Sequence, residues 1–316
     1  MLIIYFVNYF IARGGDEQWN IEYGWRWMFA SGLVPSLLFL VLLTLVPESP
    51  RWLAKHGQKA QALTVLTRVN GARAAERELA DIEAAREVES ETLWQFVKSG
   101  SIPALVIGIG LAVLQQVTGI NVFLYYGPEI FKKLGSGTKA ALLQTVTVGA
   151  VNLFFTVIAI FTVDRWGRKP LMLLGVSGMA LCLFAMGAVS YSGNTDLWVL
   201  LLILGYIACF ALSAGPVTWV ILSEIFPTRI RGRALGFATL CLWTANFIVS
   251  QTFPMMNENA WLIETFRRAF PFWVYGSFCL VEILFVWRLV PETKGKSLEQ
   301  IERLWRRPAV AGQLPD

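Results

Sequence analysis

The chain has 316 residues, of which 55% are hydrophobic, 13% aromatic and only 16% charged. A soluble globular core cannot cover that much apolar side chain, so the composition excludes a soluble protein and indicates an integral membrane protein. The net charge of +5 requires no nucleic-acid partner, because the basic residues follow the membrane topology.

Apolar runs of the length needed for membrane crossing recur along the chain. The first, residues 2–12, is too short to span a bilayer alone. It also lacks a basic segment and a small-residue cleavage site, so it is not a signal peptide. Seven longer runs reach the roughly 20 residues that a transmembrane helix needs, and they cover residues 27–46, 102–126, 140–163, 170–190, 197–222, 234–253 and 270–290. The predicted fold class is an all-α membrane protein.

A repeated signal divides the chain into two parts. A Val-Pro-Glu sequence follows the first complete span, at 46–48, and the last, at 290–292. Many transporters consist of two such related halves. On this interpretation residues 1–49 are the remnant of an N-terminal half, with part of its fifth helix and its sixth, and residues 100–290 form a C-terminal half of six helices. We therefore expect the sequence to be truncated at its N-terminus.

Residues 50–99 are the one sizeable polar segment between the spans. Ser49 before Pro50 is a favourable helix start, since the serine oxygen can cap free amides and proline suits the first helical position. Asn70-Gly71 interrupts the helical pattern, which an Ala-, Glu- and Arg-rich stretch then resumes. These features predict a helical linker at the cytoplasmic membrane surface.

The distribution of basic residues predicts the orientation. Most of the 27 Lys and Arg residues lie in the linker, in the turns at 164–169 and 228–233, and in the tail at 291–316. The cytoplasmic side of a membrane protein collects such residues. The linker, both turns and the C-terminal tail are therefore expected to be cytoplasmic.

Residues suited to catalysis or metal binding are sparse. The four cysteines lie within spans and form no CxxC pair, so neither a disulfide framework nor a metal site is indicated; they are Cys182, Cys209, Cys241 and Cys279. His56, the single histidine, is interpreted as a solvated residue. The sequence contains no nucleophile with a base, no phosphate-binding loop and no cofactor motif. We predict that the chain is not an enzyme and binds no cofactor.

The span at 102–126 carries three amide side chains, those of Gln115, Gln116 and Asn121. An amide left unpaired in an apolar site costs about 1–3 kcal/mol. An amide also donates and accepts hydrogen bonds, as a sugar hydroxyl does. Thr118-Gly119 offers a place for the helix to unwind, and transporters build substrate sites at such breaks. The alternative, that these amides only join adjacent helices, is left open by the residues alone.

Five motifs carry a resemblance to a known family. They are "PESPRWL" at 47–53, "QQVTGINVFLYYGPEIF" at 115–131, "DRWGRKP" at 164–170, "GPVTWVILSEIFPTRIRGRA" at 215–234 and "VPETKGKSLEQIE" at 290–302. In this set the chain resembles the sugar porter family of the major facilitator superfamily, from its fifth helix to its C-terminus. The resemblance implies a partial major facilitator fold in a bacterial inner membrane. It also implies alternating-access transport of a pentose or hexose, with D-xylose favoured, by proton symport in the complete protein.

The resemblance also assigns roles to individual residues. It implies that sugar is bound by Gln115, Gln116, Asn121, Tyr125, Asn152, Trp219 and Trp243. It implies a cytoplasmic ion-pair network, holding the outward-open state, at Asp164, Arg168, Glu224 and Arg231. Gly215-Pro216 is expected to act as a hinge, because a helix that lacks hydrogen bonds can bend there.

Two residues depart from the family pattern. Leu242 stands where xylose-type members carry a glutamine that contacts sugar, and leucine cannot donate a hydrogen bond, so we expect a different substrate or weaker binding. Glu282 is the only acidic residue well inside a span, where an ionised carboxylate costs about 3 kcal/mol. The family pattern has its proton carrier on the first helix, so Glu282 is not expected to be the coupling site.

Two other hypotheses are left open. The count of seven complete spans also suggests a receptor, although the central cytoplasmic helices and the repeated Val-Pro-Glu sequence argue against it. The chain could also be a non-transporting fragment of a truncated gene, because alternating access requires two halves that rock about a central site.

Overall fold

The computed structural model describes residues 1–88, 102–133, 138–193, 197–226, 230–296 and 300–301. All regular structure in these ranges is helical, which confirms the predicted fold class. The helices are α1 (Leu2–Arg13), α2 (Glu17–Leu43), α3 (Pro50–Lys55), α4 (Lys59–Asn70), α5 (Ala72–Val88), α6 (Ile102–Val117), α7 (Ile120–Tyr125), α8 (Gly127–Lys133), α9 (Thr138–Trp166), α10 (Arg168–Ser192), α11 (Leu197–Leu212), α12 (Ala214–Ile225), α13 (Arg231–Glu258), α14 (Ala260–Phe266) and α15 (Phe270–Leu289).

Six segments in the described residues are long and apolar enough to cross a membrane: α2, α9, α10, α13, α15 and the segment Trp198–Ile225, which contains α11 and α12. The remaining predicted span, 102–126, is interrupted. Gly119 has φ 89° and ψ 15°, a left-handed conformation that glycine adopts without steric cost, and it separates α6 from α7. The predicted unwinding at Thr118-Gly119 is therefore confirmed.

The first complete span begins ten residues earlier than its apolar pattern predicts. Asp16 caps the helix, because its Oδ1 accepts a hydrogen bond from the Trp19 amide at 2.8 Å. A π-helical turn at Asn20–Gly24 then leads into the apolar part. Every side chain of α2 from Leu33 onward is exposed.

The main core is formed by helices α6 to α13 and by α15. In this core α10 packs against α11 and α15, while α6 packs against α13. Small residues permit the close approach: a Cβ at Gly175 would lie 1.8 Å from Ser213 Oγ, and a Cβ at Gly178 would lie 2.5 Å from Cys209 Sγ. Helix α1 packs against α9, and its Tyr5 hydroxyl donates to the Leu124 carbonyl at 3.1 Å.

The helices of the polar linker form a separate small cluster. Leu53, Ala54 and Ala62 are its buried residues, and Lys59 pairs with Glu83 at 2.6 Å. The predicted helix start at Ser49 and the interruption after Asn70 are confirmed, but the serine cap is wrong, because the Ser49 side chain makes no capping hydrogen bond. Linker residues 89–99 and tail residues 297–299 and 302–316 lie outside the described residues.

Candidate functional site

Two broken helices meet at the centre of the core. The backbone of Ser213, at φ −130° and ψ −94°, separates α11 from α12. Gln115, at the end of α6, donates through Nε2 to the carbonyl oxygens of Ala214 at 2.8 Å and Gly215 at 3.1 Å. The side chain of one broken helix therefore binds the backbone at the break of the other.

The predicted hinge at Gly215-Pro216 lies two residues after Ser213, where the backbone is irregular. Gly215 and Pro216 are both in the first turn of α12. The amides of a helix's first turn have no partner within the helix, so Pro216 costs no hydrogen bond there. The break is at Ser213, whose Oγ donates to the Cys209 carbonyl at 2.6 Å. The Phe210 ring lies 2.9 Å from where a Cβ of Gly215 would stand. A hinge motion at Gly215-Pro216 stays a prediction.

Four amide side chains form a continuous hydrogen-bonded chain, which we call the amide chain: Gln115, Gln116, Asn121 and Asn246. Gln116 Nε2 donates to Gln115 Oε1 at 3.3 Å. Asn121 Nδ2 donates to Gln116 Oε1 at 2.5 Å and to Asn246 Oδ1 at 2.9 Å. The break at Gly119 allows this arrangement, because on a straight helix the three amides of residues 115–121 would point apart.

Asn246 was missed by the sequence reasoning. It is 7% exposed on α13, and Ser250 Oγ donates to its Oδ1 at 3.3 Å. Its Nδ2 lies 3.5 Å from the hydroxyl oxygen of Tyr125. The signal that singled out residues 115–121, an amide inside an apolar run, applies equally to Asn246.

Three aromatic residues of the predicted site have exposed side chains. Tyr125 is 47% exposed, Trp219 42% and Trp243 54%. Trp219 lies one helical turn after Gly215 on α12, on the same face as the residue whose carbonyl accepts from Gln115. Trp243 lies one turn before Asn246 on α13 and shares a face with that member of the amide chain. The candidate site therefore combines buried amide side chains with exposed aromatic side chains.

Asn152 and Leu242, two residues that the sequence analysis singled out, are not hydrogen-bonded to the amide chain in the described residues. Asn152 is half-buried on α9, and its side chain makes no hydrogen bond within the described ranges, so the structure does not join it to the amide chain. Leu242 is 2% exposed. It lies one turn before Asn246 on the buried face of α13 and belongs to the apolar core.

Arg168 joins two acidic residues of the predicted ion-pair network. Arg168 Nη1 lies 3.0 Å from Asp164 Oδ1, and its Nη2 lies 2.8 Å from Glu224 Oε1. The Glu224 pair is mostly buried, whereas Asp164 is exposed. Arg231, at the start of α13, donates through Nε to the Phe226 carbonyl at 3.3 Å. The side chain of Thr293 extends the network, donating to Glu224 Oε2 at 2.6 Å.

Glu292 caps the N-terminus of α10, a role that the sequence reasoning missed. Its carboxylate accepts from the backbone amides of Arg168 at 3.1 Å, Lys169 at 3.0 Å and Lys294 at 2.8 Å. Partial burial raises the pKa of the Glu292 carboxyl, but these backbone donors, with that of Thr293, outweigh it and hold the pKa below its usual value. The second Val-Pro-Glu sequence thus supplies a helix cap.

The Glu292 cap predicts a pH-dependent stabilisation. A carboxyl whose pKa is lower in the folded state stabilises the protein above its unfolded pKa of about 4.3, and this contribution is lost as the pH falls through the folded pKa. We expect Glu292→Gln to lower the free energy of unfolding by about 1 kcal/mol at neutral pH, and the difference to shrink in acid. Thermal unfolding in detergent measures it. Glu48→Gln, in the other Val-Pro-Glu copy, is the matched control; an equal loss there would contradict the cap.

Comparison with known proteins identifies the family. The family described as "Sugar (and other) transporter" matches residues 1–305. The chain is 49% identical over 304 residues to the D-xylose-proton symporter of Escherichia coli K12, covering 96% of this chain and 62% of that protein. It is 46% identical over 303 residues to the arabinose-proton symporter of Bacillus subtilis 168, covering 95% and 64%.

A solved structure is similar along the same length. The major facilitator superfamily proton:xylose symporter XylE, bound to 6-bromo-6-deoxy-D-glucose, matches with a TM-score of 0.80 and 49% identity, covering 96% of this chain and 64% of that one. The chain thus spans less than two thirds of the length of these relatives. By sequence and fold alike, it belongs to the sugar transporter family of the major facilitator superfamily.

Proposed function

We propose that the chain binds a monosaccharide at the amide chain and takes part in its transport across the membrane by alternating access, in symport with protons. D-xylose is the favoured substrate and another pentose or a hexose the alternative. The observation that carries the proposal is a buried, connected set of amides at the meeting point of two broken helices. Relatives of similar sequence are described as xylose and arabinose symporters, which supports a pentose.

The hydrogen-bond inventory of the amide chain suits a sugar. Asn121 uses both of its N–H groups on neighbouring amides and keeps its carbonyl oxygen as an acceptor. Gln116 uses one N–H on Gln115 and keeps the other as a donor. A sugar hydroxyl both donates and accepts, so adjacent hydroxyls can bind these groups in alternation. Internal hydrogen bonds hold the amides in position before the ligand arrives, which reduces the entropic cost of binding.

The aromatic residues supply the apolar part of the site. Trp219 and Trp243 present large, rigid surfaces that can pack on the carbon face of a pyranose ring, and the hydroxyl of Tyr125 adds a polar group at the edge. We include Asn152 in the proposed binding set from the family resemblance alone.

The ion-pair network is proposed as a gate at the cytoplasmic end. Asp164, Arg168, Glu224 and Arg231 lie where α9 and α12 end and α10 and α13 begin, so a rocking motion that separates these helices would break the ion pairs. The orientation rests on the basic turns and tail, which favour a cytoplasmic C-terminus in the inner membrane. We propose four units along the chain. They are a remnant of the N-terminal half at 1–49, a cytoplasmic helical linker at 50–99, a C-terminal half of six helices at 100–290 and a cytoplasmic tail at 291–316.

Sugar binding by the purified chain in lipid nanodiscs tests the proposal. Calorimetric titration with D-xylose, L-arabinose and D-glucose measures the affinities, and quenching of tryptophan fluorescence reports contact with Trp219 or Trp243. We expect D-xylose to bind more tightly than D-glucose. Absence of binding by any pentose or hexose, in a sample with the expected helical content, would contradict the proposal.

Leu242→Gln is expected to strengthen D-xylose binding. The new amide lies one turn from Asn246, and one added hydrogen bond contributes about 0.5–1.5 kcal/mol, or about two- to tenfold in affinity. Without sugar, the same buried amide should lower the stability of the chain. Leu242→Met, of similar volume but without a donor, is the control. An equal gain in affinity with methionine would show that the hydrogen bond is not responsible.

A further inference from the structure

Glu282 is an isolated acid in the middle of the helix bundle. It lies on α15 and is fully buried, and neither of its carboxyl oxygens has a hydrogen-bond partner among the described residues. The buried face of α15 also carries Tyr275 and Cys279. The Tyr275 hydroxyl is likewise buried without a partner in the described part of the chain.

No cation faces this carboxyl from the helices packed against α15, which are chiefly α6, α10 and α13. Helix α6 contains no ionisable residue, and the basic residues of α10 and α13 are all in their first turns. Arg168 there pairs with Glu224, and Lys169 Nζ donates to the Trp287 carbonyl at 2.8 Å. The other titratable residues on the buried face of α15 are Tyr275 and Cys279, and the thiols and phenols on the facing helices are Cys182 of α10, Tyr206 and Cys209 of α11 and Cys241 of α13.

An ionised carboxylate in this setting is strongly unfavourable. A buried charge needs a counter-ion or several hydrogen bonds, and without them the group takes up a proton and becomes neutral. Ionisable residues inside a membrane bundle are therefore candidates for functional proton binding. The position of Glu282 meets both conditions.

The buried face of α15, which carries Glu282 and Tyr275, also contacts the break in α6. At the same break, the Tyr206 hydroxyl donates to the carbonyl of Thr118 at 3.0 Å. The Tyr275 ring lies 2.7 Å from where a Cβ of Gly119 would stand. One face of the break thus contacts the surroundings of Glu282, while the residues before and after it form the amide chain.

We propose that Glu282 is a proton-binding site of this chain. Its carboxyl is fully buried and has no hydrogen-bond partner among the described residues, so the neutral, protonated form is the favoured one.

Infrared spectroscopy of the full chain in nanodiscs tests proton binding without any sugar. A protonated carboxylic acid has its own C=O stretching band, and an ordinary glutamate with a pKa of about 4.3 is ionised at neutral pH. We expect such a band at neutral pH in the unchanged chain, its loss in Glu282→Gln and its loss in alkaline buffer. If the glutamine variant fails to fold, Glu282→Ala replaces it. Absence of a band that depends on Glu282 would overturn the proposal.

Discussion

Replacing Asn121 with leucine is expected to weaken sugar binding about 100-fold. The side chain donates to Gln116 at 2.5 Å and to Asn246 at 2.9 Å. Its loss removes a sugar contact and leaves Gln116 Oε1 without a donor, whereas Asn246 Oδ1 keeps the hydrogen bond from Ser250. An unsatisfied buried acceptor costs about 1–3 kcal/mol, and about 2.8 kcal/mol corresponds to the stated factor. Calorimetric titration of the purified variant in nanodiscs measures the loss.

A double-mutant cycle separates this effect from general damage. Asn121→Leu and Asn246→Leu remove groups that are in contact, so their effects on affinity should be non-additive by about 0.5–3 kcal/mol. Asn152→Leu is the matched control, because Asn152 is a half-buried asparagine that the structure does not join to the amide chain. Additive effects for the Asn121 and Asn246 pair, or an equal coupling to Asn152, would contradict the amide chain as the centre of the site.

Arg168→Met is expected to lower the free energy of unfolding by about 3 kcal/mol. Its side chain is 13% exposed, and its Nη2 lies 2.8 Å from Oε1 of Glu224, whose side chain is 20% exposed. Removing one partner of a mostly buried ion pair leaves the other charge without compensation, whereas removing both charges is often close to neutral. The double variant Arg168→Met/Glu224→Gln should therefore recover much of the loss. Thermal and denaturant unfolding of the reconstituted chain measure both.

Two further variants make this result specific. Arg165 lies in the same turn as Arg168 but is exposed, so Arg165→Met should change stability little. Asp164 is 76% exposed, and solvent screens its ion pair with Arg168, so Asp164→Asn should also have a small effect. A double variant as unstable as Arg168→Met alone would mean that Arg168 acts through packing and not through Glu224.

The sequence predicted part of the candidate site but not the hydrogen bonds within it. The unwinding at Thr118-Gly119 could be predicted because glycine marks a position of conformational freedom within an apolar run. The polar character of Gln115, Gln116 and Asn121 could be read from the same stretch. Their mutual hydrogen bonds could not, since these depend on how far α7 turns away from α6 and on the approach of α13.

Other features of the site also depend on the packing of the helices. Gly215-Pro216 is the conspicuous helix-breaking pair, yet the irregular backbone is at Ser213, because the first turn of α12 accommodates both residues. Glu292 follows a proline at the end of a span, where the sequence shows only the repeated Val-Pro-Glu signal. Its role as the cap of α10 depends on two segments that are 124 residues apart in the chain.

The sequence by itself determined the membrane environment, the positions of the spans, the break in α6 and the family, because hydrophobic length, glycine placement and motif order are local properties of the chain. The tertiary structure alone decided which polar groups meet. Asn121 and Asn246 are 125 residues apart and bonded, whereas Glu282 is buried with no bonded partner in the described ranges. Such pairings follow from the packing of distant helices, where a shift of about 1 Å makes or breaks a hydrogen bond.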